Sequence, residues 1–315
     1  CRSRDATRLG FERLESRRLL AADFPEFVDP NPSPGNQFGV TIVPLSTGNV
    51  VITAPYDDAG GTDAGAVYLF NGATGALIST LRGSLVNDRV GNGGVTALVN
   101  GNYLVRSPSW DNGAAIDAGA VTWGSGATGV SGIVSATNSL VGGTTNDSVG
   151  LRGITTLTNG NYVVNCSTWS NGAANQAGAV TWGDGVIGIV GLVSAANSLV
   201  GDSPGDSIGT DGVVALPNGN YVVQSSNWSN DAATSAGAVT WGSGTNGISG
   251  VVSAANSLVG SKSNDRVGQQ ITVLPNSNFV VSSPKWNGTA AALGAVTWGS
   301  GTSGVRGAVS FLNSL

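Results

Sequence analysis

The chain has no histidine and no methionine, only two cysteines and two lysines (Lys262 and Lys285), and no glutamate after Glu26. Without histidine it has neither the commonest general base nor the commonest metal ligand. Charged residues make up 10% of the 315 and aromatics 6%. From residue 35 onward 13 aspartates face 8 lysines and arginines, so the surface is weakly acidic and carries no basic patch. Nucleic acid and anionic membranes both need clustered cations and are excluded as partners. No apolar run approaches the roughly 18 residues of a transmembrane helix. Cys1 and Cys166 have neither metal-ligand nor disulfide-framework spacing, and Cys166 reads as a small core residue where sister segments have serine.

What the chain has instead is glycine, 49 of it, and repetition. The openings Asn87-Asp88-Arg-Val-Gly91, Asn146-Asp147-Ser-Val-Gly150, Gly205-Asp206-Ser-Ile-Gly209 and Asn264-Asp265-Arg-Val-Gly268 follow one another at steps of 59. A looser copy begins near Gly35-Asn36-Gln37-Phe38-Gly39. A fixed period of this size means one supersecondary unit stacked on itself. The units are 35–86, 87–145, 146–204, 205–263 and 264–315.

Each unit reads as strand and turn. In the second, Val95–Leu98 alternates, Asn100-Gly101 turns the chain and Tyr103–Val105 returns. Asn-Gly between two apolar runs predicts a hairpin with a type I′ turn, both central residues at positive φ. The turn recurs at Asn159-Gly160 and Asn218-Gly219, weakens to Asn276-Ser277 and becomes Gly48-Asn49 in the first unit. A third strand is expected over Gly119–Trp123 and a fourth around Val130 to Val134. Four strands in such a unit is one propeller blade by count.

Residues 1–34 differ in character and read as an export-type leader and linker. Leu9, Leu14, Leu19 and Leu20, spaced by Arg and Glu, suit a short amphipathic helix. Leu14-Glu15-Ser16-Arg17-Arg18-Leu19-Leu20 resembles the Leu-Glu-Pro-Arg-x-Leu-Leu motif of large bacterial surface and secreted proteins, with Ser16 in place of Pro. That resemblance implies export. Asp29-Pro30-Asn31-Pro32-Ser33-Pro34-Gly35 reads as an extended linker, because alternate prolines forbid regular pairing.

Phe38-Gly39, Ala54-Pro55 and Gly65-Ala66-Val67-Tyr68-Leu69-Phe70 resemble the FG-GAP repeat of integrin-α-like β-propellers. Val90-Gly91, Ser107-Pro108 and Gly119–Gly124 hold the corresponding places in the next unit. The later units also resemble a bacterial surface-protein repeat of unknown function, marked by Asn-Gly-Asn-Tyr-Val-Val and Gly-Ala-Val-Thr-Trp-Gly. The resemblance implies an all-β, propeller-like array of five four-stranded repeats over residues 35–315. It departs from the calcium-binding pattern, since Val40 to Thr53 contains no acid and the later intervals only Asp211, whereas calcium needs several convergent oxygens.

Three sets of residues stand out as sites. Asp57, Asp58 and Asp63, echoed by Asp111 and Asp117, are the one acidic cluster that could take a cation, with calcium the ion it would suit. No other cofactor is expected. The recurring Asp88, Asp147, Asp206 and Asp265 form either a ring of acids or, the reading favoured by recurrence in every unit, a set of turns in which each carboxylate accepts backbone N–H groups. The tryptophans come two per unit. Trp123, Trp182, Trp241 and Trp298 lie on strands and are expected to pack between units. Trp110, Trp169, Trp228 and Trp286 lie in loops beside Asn and Asp, a setting suited to stacking on sugar rings, unless each covers a neighbouring blade's edge.

For catalysis nothing assembles: no nucleophile has a base beside it, and the Gly-x-Gly strings open no helix. A propeller hydrolase would need a pair such as Asp57 and Asp63 at catalytic separation. The expectation is a non-enzymatic secreted or cell-surface bacterial protein, structural or adhesive, with a protein or polysaccharide partner. The alternative is a carbohydrate-binding module using the loop tryptophans.

Overall fold

The computed structural model describes residues 26–315, and within them regular structure is entirely β. The leader motif and the expected helix lie outside the described residues. The second unit serves as the pattern. Gly94–Ala97, Tyr103–Ser107 and Ala120–Gly124 form an antiparallel meander, as the alternating runs predict. The fourth place in the sheet goes to Ser139–Val141, which pairs antiparallel with Ala120–Thr122.

The expected fourth strand near Val130–Val134 has a different fate. Gly132–Ile133 leaves its own sheet and pairs in parallel with Leu81–Arg82 of the preceding unit. A tight Ser135–Asn138 turn then brings the chain home: Asn138 Oδ1 accepts Ser135 N–H and its Nδ2 donates to the Ile133 carbonyl, both at 2.9 Å. The same loan recurs, Gly191–Leu192 joining the second sheet, Gly250–Val251 the third and Gly307–Ala308 the fourth. Four sheets therefore have five strands, four of their own and one borrowed. The fifth has three regular strands, extended by a bridge from Thr297 to Ser314.

The hairpin turns are also not type I′. Gly101, Gly160 and Gly219 have φ of 87°, 89° and 88°, and Ser277 takes the same place at 68°, while the asparagine before each stays at negative φ. Gly101 N–H donates to the Leu98 carbonyl and Leu98 N–H to the Asn102 carbonyl. This is a three-residue loop, a type I turn followed by one left-handed residue. Asparagine is retained for its side chain: Asn100 Oδ1 accepts Asn102 N–H at 3.1 Å.

Successive sheets stack face to face, and the cores lie between them. Val51, Leu69 and Leu81 of the first unit meet Tyr103, Val105 and Trp110 of the second. Leu104, Val121 and Leu140 on the opposite face of the second meet Tyr162, Val164 and Trp169 of the third. The alternation of the strands thus sends side chains into two different cores, one shared with each neighbour. The third and fourth interfaces repeat the scheme.

The outer face of the first sheet (Ile52, Tyr68, Phe70) is covered by Phe27 and Phe38. Phe27 meets Phe70 edge-on at 5.6 Å between centroids. The proline-rich segment is therefore a cap rather than a free linker. Asn31 Nδ2 reaches Asp57 Oδ1 at 3.0 Å, and Asn36 Nδ2 donates to Asp29. Among the described residues nothing covers the outer face of the fifth sheet in this way: Val296 is 48% exposed and Trp298 56%.

Candidate functional site

The recurring aspartates are fully buried and act in concert with backbone. Asp88 Oδ2 accepts Ser84 and Leu85 N–H at 2.8 Å each, and Oδ1 accepts Asp111 N–H at 3.0 Å. Asp147 takes Gly143 and Thr144 N–H on one oxygen, and Ser170 N–H with the Thr144 hydroxyl on the other. Asp206 and Asp265 repeat the bonds with Asp202, Ser203 and Ser229, and with Ser261, Lys262 and Asn287. Each carboxylate ties the turn that enters a unit to the loop after that unit's first tryptophan. Burial pushes the Asp88 and Asp206 carboxyls above the usual carboxylate range, opposed by the backbone N–H groups that favour the ion. The motif's backbone explains its sequence: Asn146 and Ser148 sit at φ of 65° and 49°, a left-handed pair on either side of the aspartate.

A second recurring constellation joins one unit to the next. The Gly185 carbonyl of the third unit accepts three hydrogen bonds from the second: Asn100 Nδ2 at 2.8 Å, Asn102 Nδ2 at 2.9 Å and Trp123 Nε1 at 3.0 Å. Gly244 receives the same three from Asn159, Asn161 and Trp182, and Gly301 from Asn218, Asn220 and Trp241. In the first unit Thr47 and Asn49 supply two bonds to Gly126. Asn161 also accepts Gly185 N–H of its own unit at 2.9 Å, so its carboxamide passes a polar contact from one repeat to the next. The accepting residue must be glycine, because a Cβ at Gly185 would lie 1.9 Å from the Gly160 carbonyl oxygen. Sequence reasoning took Asn-Gly-Asn and Gly-x-Gly for separate turns. Their co-recurrence with Val-Thr-Trp was the available signal that they belong together.

The loop tryptophans occupy places unsuited to sugar stacking. Trp110, Trp169, Trp228 and Trp286 are 5%, 5%, 4% and 5% exposed, each within the core shared with the preceding unit. Their polar neighbours in sequence stay partly exposed while the indole turns inward into an apolar core. Trp123, Trp182 and Trp241 do lie between units, as expected, with the indole N–H on the next unit's glycine carbonyl, whereas Trp298 of the fifth unit, expected there too, is exposed.

In the acidic cluster, Asp57 is buried and spends its oxygens on Asn31 Nδ2, Ala59 N–H at 2.8 Å and the Tyr68 hydroxyl at 2.5 Å. Asp58 accepts Asp63 N–H at 2.9 Å and the Ser33 hydroxyl. The trio is the anchor of the N-terminal cap. No group of three or more metal-binding side chains converges among the described residues. Asp111 and Asp117 border a shallow cleft of about 420 Å³ with Asn87 and Arg89, where Asp111 accepts Asp117 N–H at 2.8 Å. Cys166 is buried in the core between the second and third units, and burial pushes its thiol up to about 12.

Fold and recurring contacts together define a tandem-repeat, all-β protein whose units are joined by a shared polar and apolar interface. The chain belongs to the family described as a repeat of unknown function (DUF5650), matched at residues 44–92, 97–151, 156–210, 215–269 and 273–315. No curated protein matches it. Among solved structures it is similar to a "putative 6-phosphogluconolactonase" from Bacteroides uniformis, at 12% identity over 84% of this chain and 68% of that one, with a TM-score of 0.35. A likeness that partial bears on neither fold detail nor activity.

Proposed function

We propose that the chain is a non-enzymatic scaffold, secreted or at the bacterial cell surface, with a structural or adhesive role. The observation that carries this reading is where the recurrent chemistry goes. Buried aspartates hold turns, asparagines and strand tryptophans hold neighbouring units, and loop tryptophans fill the cores. What each unit still presents outward is a short loop of small and polar residues, Gly113-Ala114 in the second, Gly172-Ala173 in the third and Asp231-Ala232 in the fourth. Near-identical loops at a fixed spacing suit multivalent contacts, individually weak and strengthened by copy number. The blade-like sheets support the propeller-like and FG-GAP resemblance as an arrangement of units, with the calcium loops of that family replaced by hairpin turns.

The carbohydrate-binding alternative loses the residues it was built on, because the four loop indoles are covered. The reading is tested by labelling intact producing cells with antibody to the purified chain and assaying the medium in parallel. Antigen on intact cells or in the medium supports it. Antigen confined to lysed cells overturns it.

A further inference from the structure

The interface that joins the units is directional. One face of each sheet carries donors, two asparagines from the hairpin and one strand tryptophan. The opposite face carries the turn whose glycine carbonyl accepts them. Three consecutive interfaces use the same three donors on one acceptor, and the apolar residues around them are buried, Val121, Val180 and Val239 at 1%, 0% and 1% exposure.

The fifth unit presents the donor face again, complete. Asn276, Asn278 and Trp298 hold the places of Asn218, Asn220 and Trp241, and Asn278 Oδ1 accepts Gly301 N–H of its own unit at 2.9 Å, as in the earlier units. Asn276 Oδ1 likewise accepts Asn278 N–H at 3.2 Å. Here no following carbonyl meets the donors among the described residues. Val296 stands where Val239 is buried, and with Trp298, Phe311 and Leu312 it lines an open apolar cleft.

We propose that this face is a docking surface for a further repeat unit of the same kind, one that brings a Gly-x-Gly turn carbonyl to Asn276, Asn278 and Trp298. The same unit would lay its Tyr-Val strand and its buried loop tryptophan on Val280 and Val296. The occupant follows from continuity with the interface already repeated along the chain. The first unit of a second copy does not fit, because its acceptor face is covered by Phe27 and Phe38. Two donor-bearing faces brought together would leave both sets of donors without a carbonyl. The inference rests on the geometry of the interfaces and does not depend on the surface role proposed above.

The test extends the full chain by a second copy of residues 259–315 placed after Leu315, which keeps the repeat in register. Trp298→Ala and Asn276→Ala are then made in both the natural and the extended chain. We expect Trp298→Ala to leave the urea midpoint of the natural chain unchanged, Asn276→Ala to lower it only by the loss of its own turn bond to Asn278 N–H, and both to lower the midpoint of the extended chain by clearly more. Exchange of the Trp298 indole N–H should slow by at least about tenfold on extension, the protection given by roughly one hydrogen bond's worth of stability. An appended unit that exchanges freely, while neither substitution costs the extended chain more than the natural one, would overturn the proposal. So would sedimentation of the natural chain as a dimer in which Trp298 is protected, since the occupant would then be a second copy.

Discussion

Replacing Asp147 with alanine removes the acceptor for three backbone N–H groups and one hydroxyl: those of Gly143, Thr144 and Ser170, at 2.9, 2.8 and 3.0 Å, and the Thr144 hydroxyl at 2.6 Å. Hydrogen bonds to a charged acceptor contribute about 1.5–3 kcal/mol each, and a buried donor left without a partner costs about 1–3 kcal/mol. Two discounts apply. Gly143 and Thr144 are exposed residues, so water can reach their N–H groups once the carboxylate is gone. The variant also escapes the cost of holding a charge away from water. The loss expected is then about 2–4 kcal/mol, set mainly by Ser170 and by release of the entering turn. Urea denaturation followed by circular dichroism reads it as a lower midpoint. Because each unit contacts only its neighbours, hydrogen exchange should accelerate in units two to four before the rest. Asp202→Ala, an exposed residue in the turn held by Asp206 whose carboxylate accepts only the Ser203 hydroxyl at 3.3 Å, is the control and should stay within about 0.5 kcal/mol. If Asp147→Ala matched that control, the view of these aspartates as turn-holders would be refuted.

Trp169→Ala should cost about 3–5 kcal/mol, because it empties a core shared by two units, and calorimetry would show it as a lower melting temperature. A stable Trp169→Ala protein would contradict the burial described. Gly185→Ala places a Cβ 1.9 Å from the Gly160 carbonyl oxygen and must displace the turn from its three donors, so it should destabilise more than Gly113→Ala, where a Cβ meets nothing within 4 Å. Equal urea midpoints for the two would count against the carbonyl ladder. Cys166 should resist iodoacetamide in the folded protein at pH 8, since its thiol is raised to about 12 and the thiolate is the nucleophile. The sign for stability follows from the same shift. The unfolded thiol ionises first as pH rises past its ordinary value of about 8.5, so the contribution present at neutral pH is lost progressively towards the folded value. Peptide mapping that finds Cys166 alkylated within minutes in the native protein would refute the assignment.

The period, the first three strands of each unit and the turn-holding role of the aspartates were all legible in the sequence, because each leaves a local pattern. Alternation marks Tyr103–Val105, and an identical Asp in every unit marks a backbone task. The borrowed strand was not legible: Gly132–Ile133 is two residues long, and its partner, Leu81–Arg82, lies about fifty residues away. Its only trace is the Ser-x-x-Asn turn that follows. The loop tryptophans misled for a related reason. A tryptophan beside Asn and Asp looks like part of a solvated loop when only sequence neighbours are weighed, but what decides an indole's place is the neighbouring sheet across the interface. Asn100 carried two possible meanings, a backbone preference and a side-chain donor. Only the position of Gly185 in the next unit separates them.

The cap and the open face follow from one property of the interface. Donors on one side and an acceptor on the other make a heterologous contact, which adds units in one direction and has no internal stop. A stack of such units needs a different surface at any end that meets water. The first unit has one: Phe27, Phe38 and the Asp57–Tyr68 bond close its outer face. The fifth unit keeps every residue of the donor set and, among the described residues, has no cover, so its face has the chemistry of an interior interface placed at the surface. Selective effects of Trp298→Ala on the extended chain, and none on the natural one, are the expected mark of that arrangement.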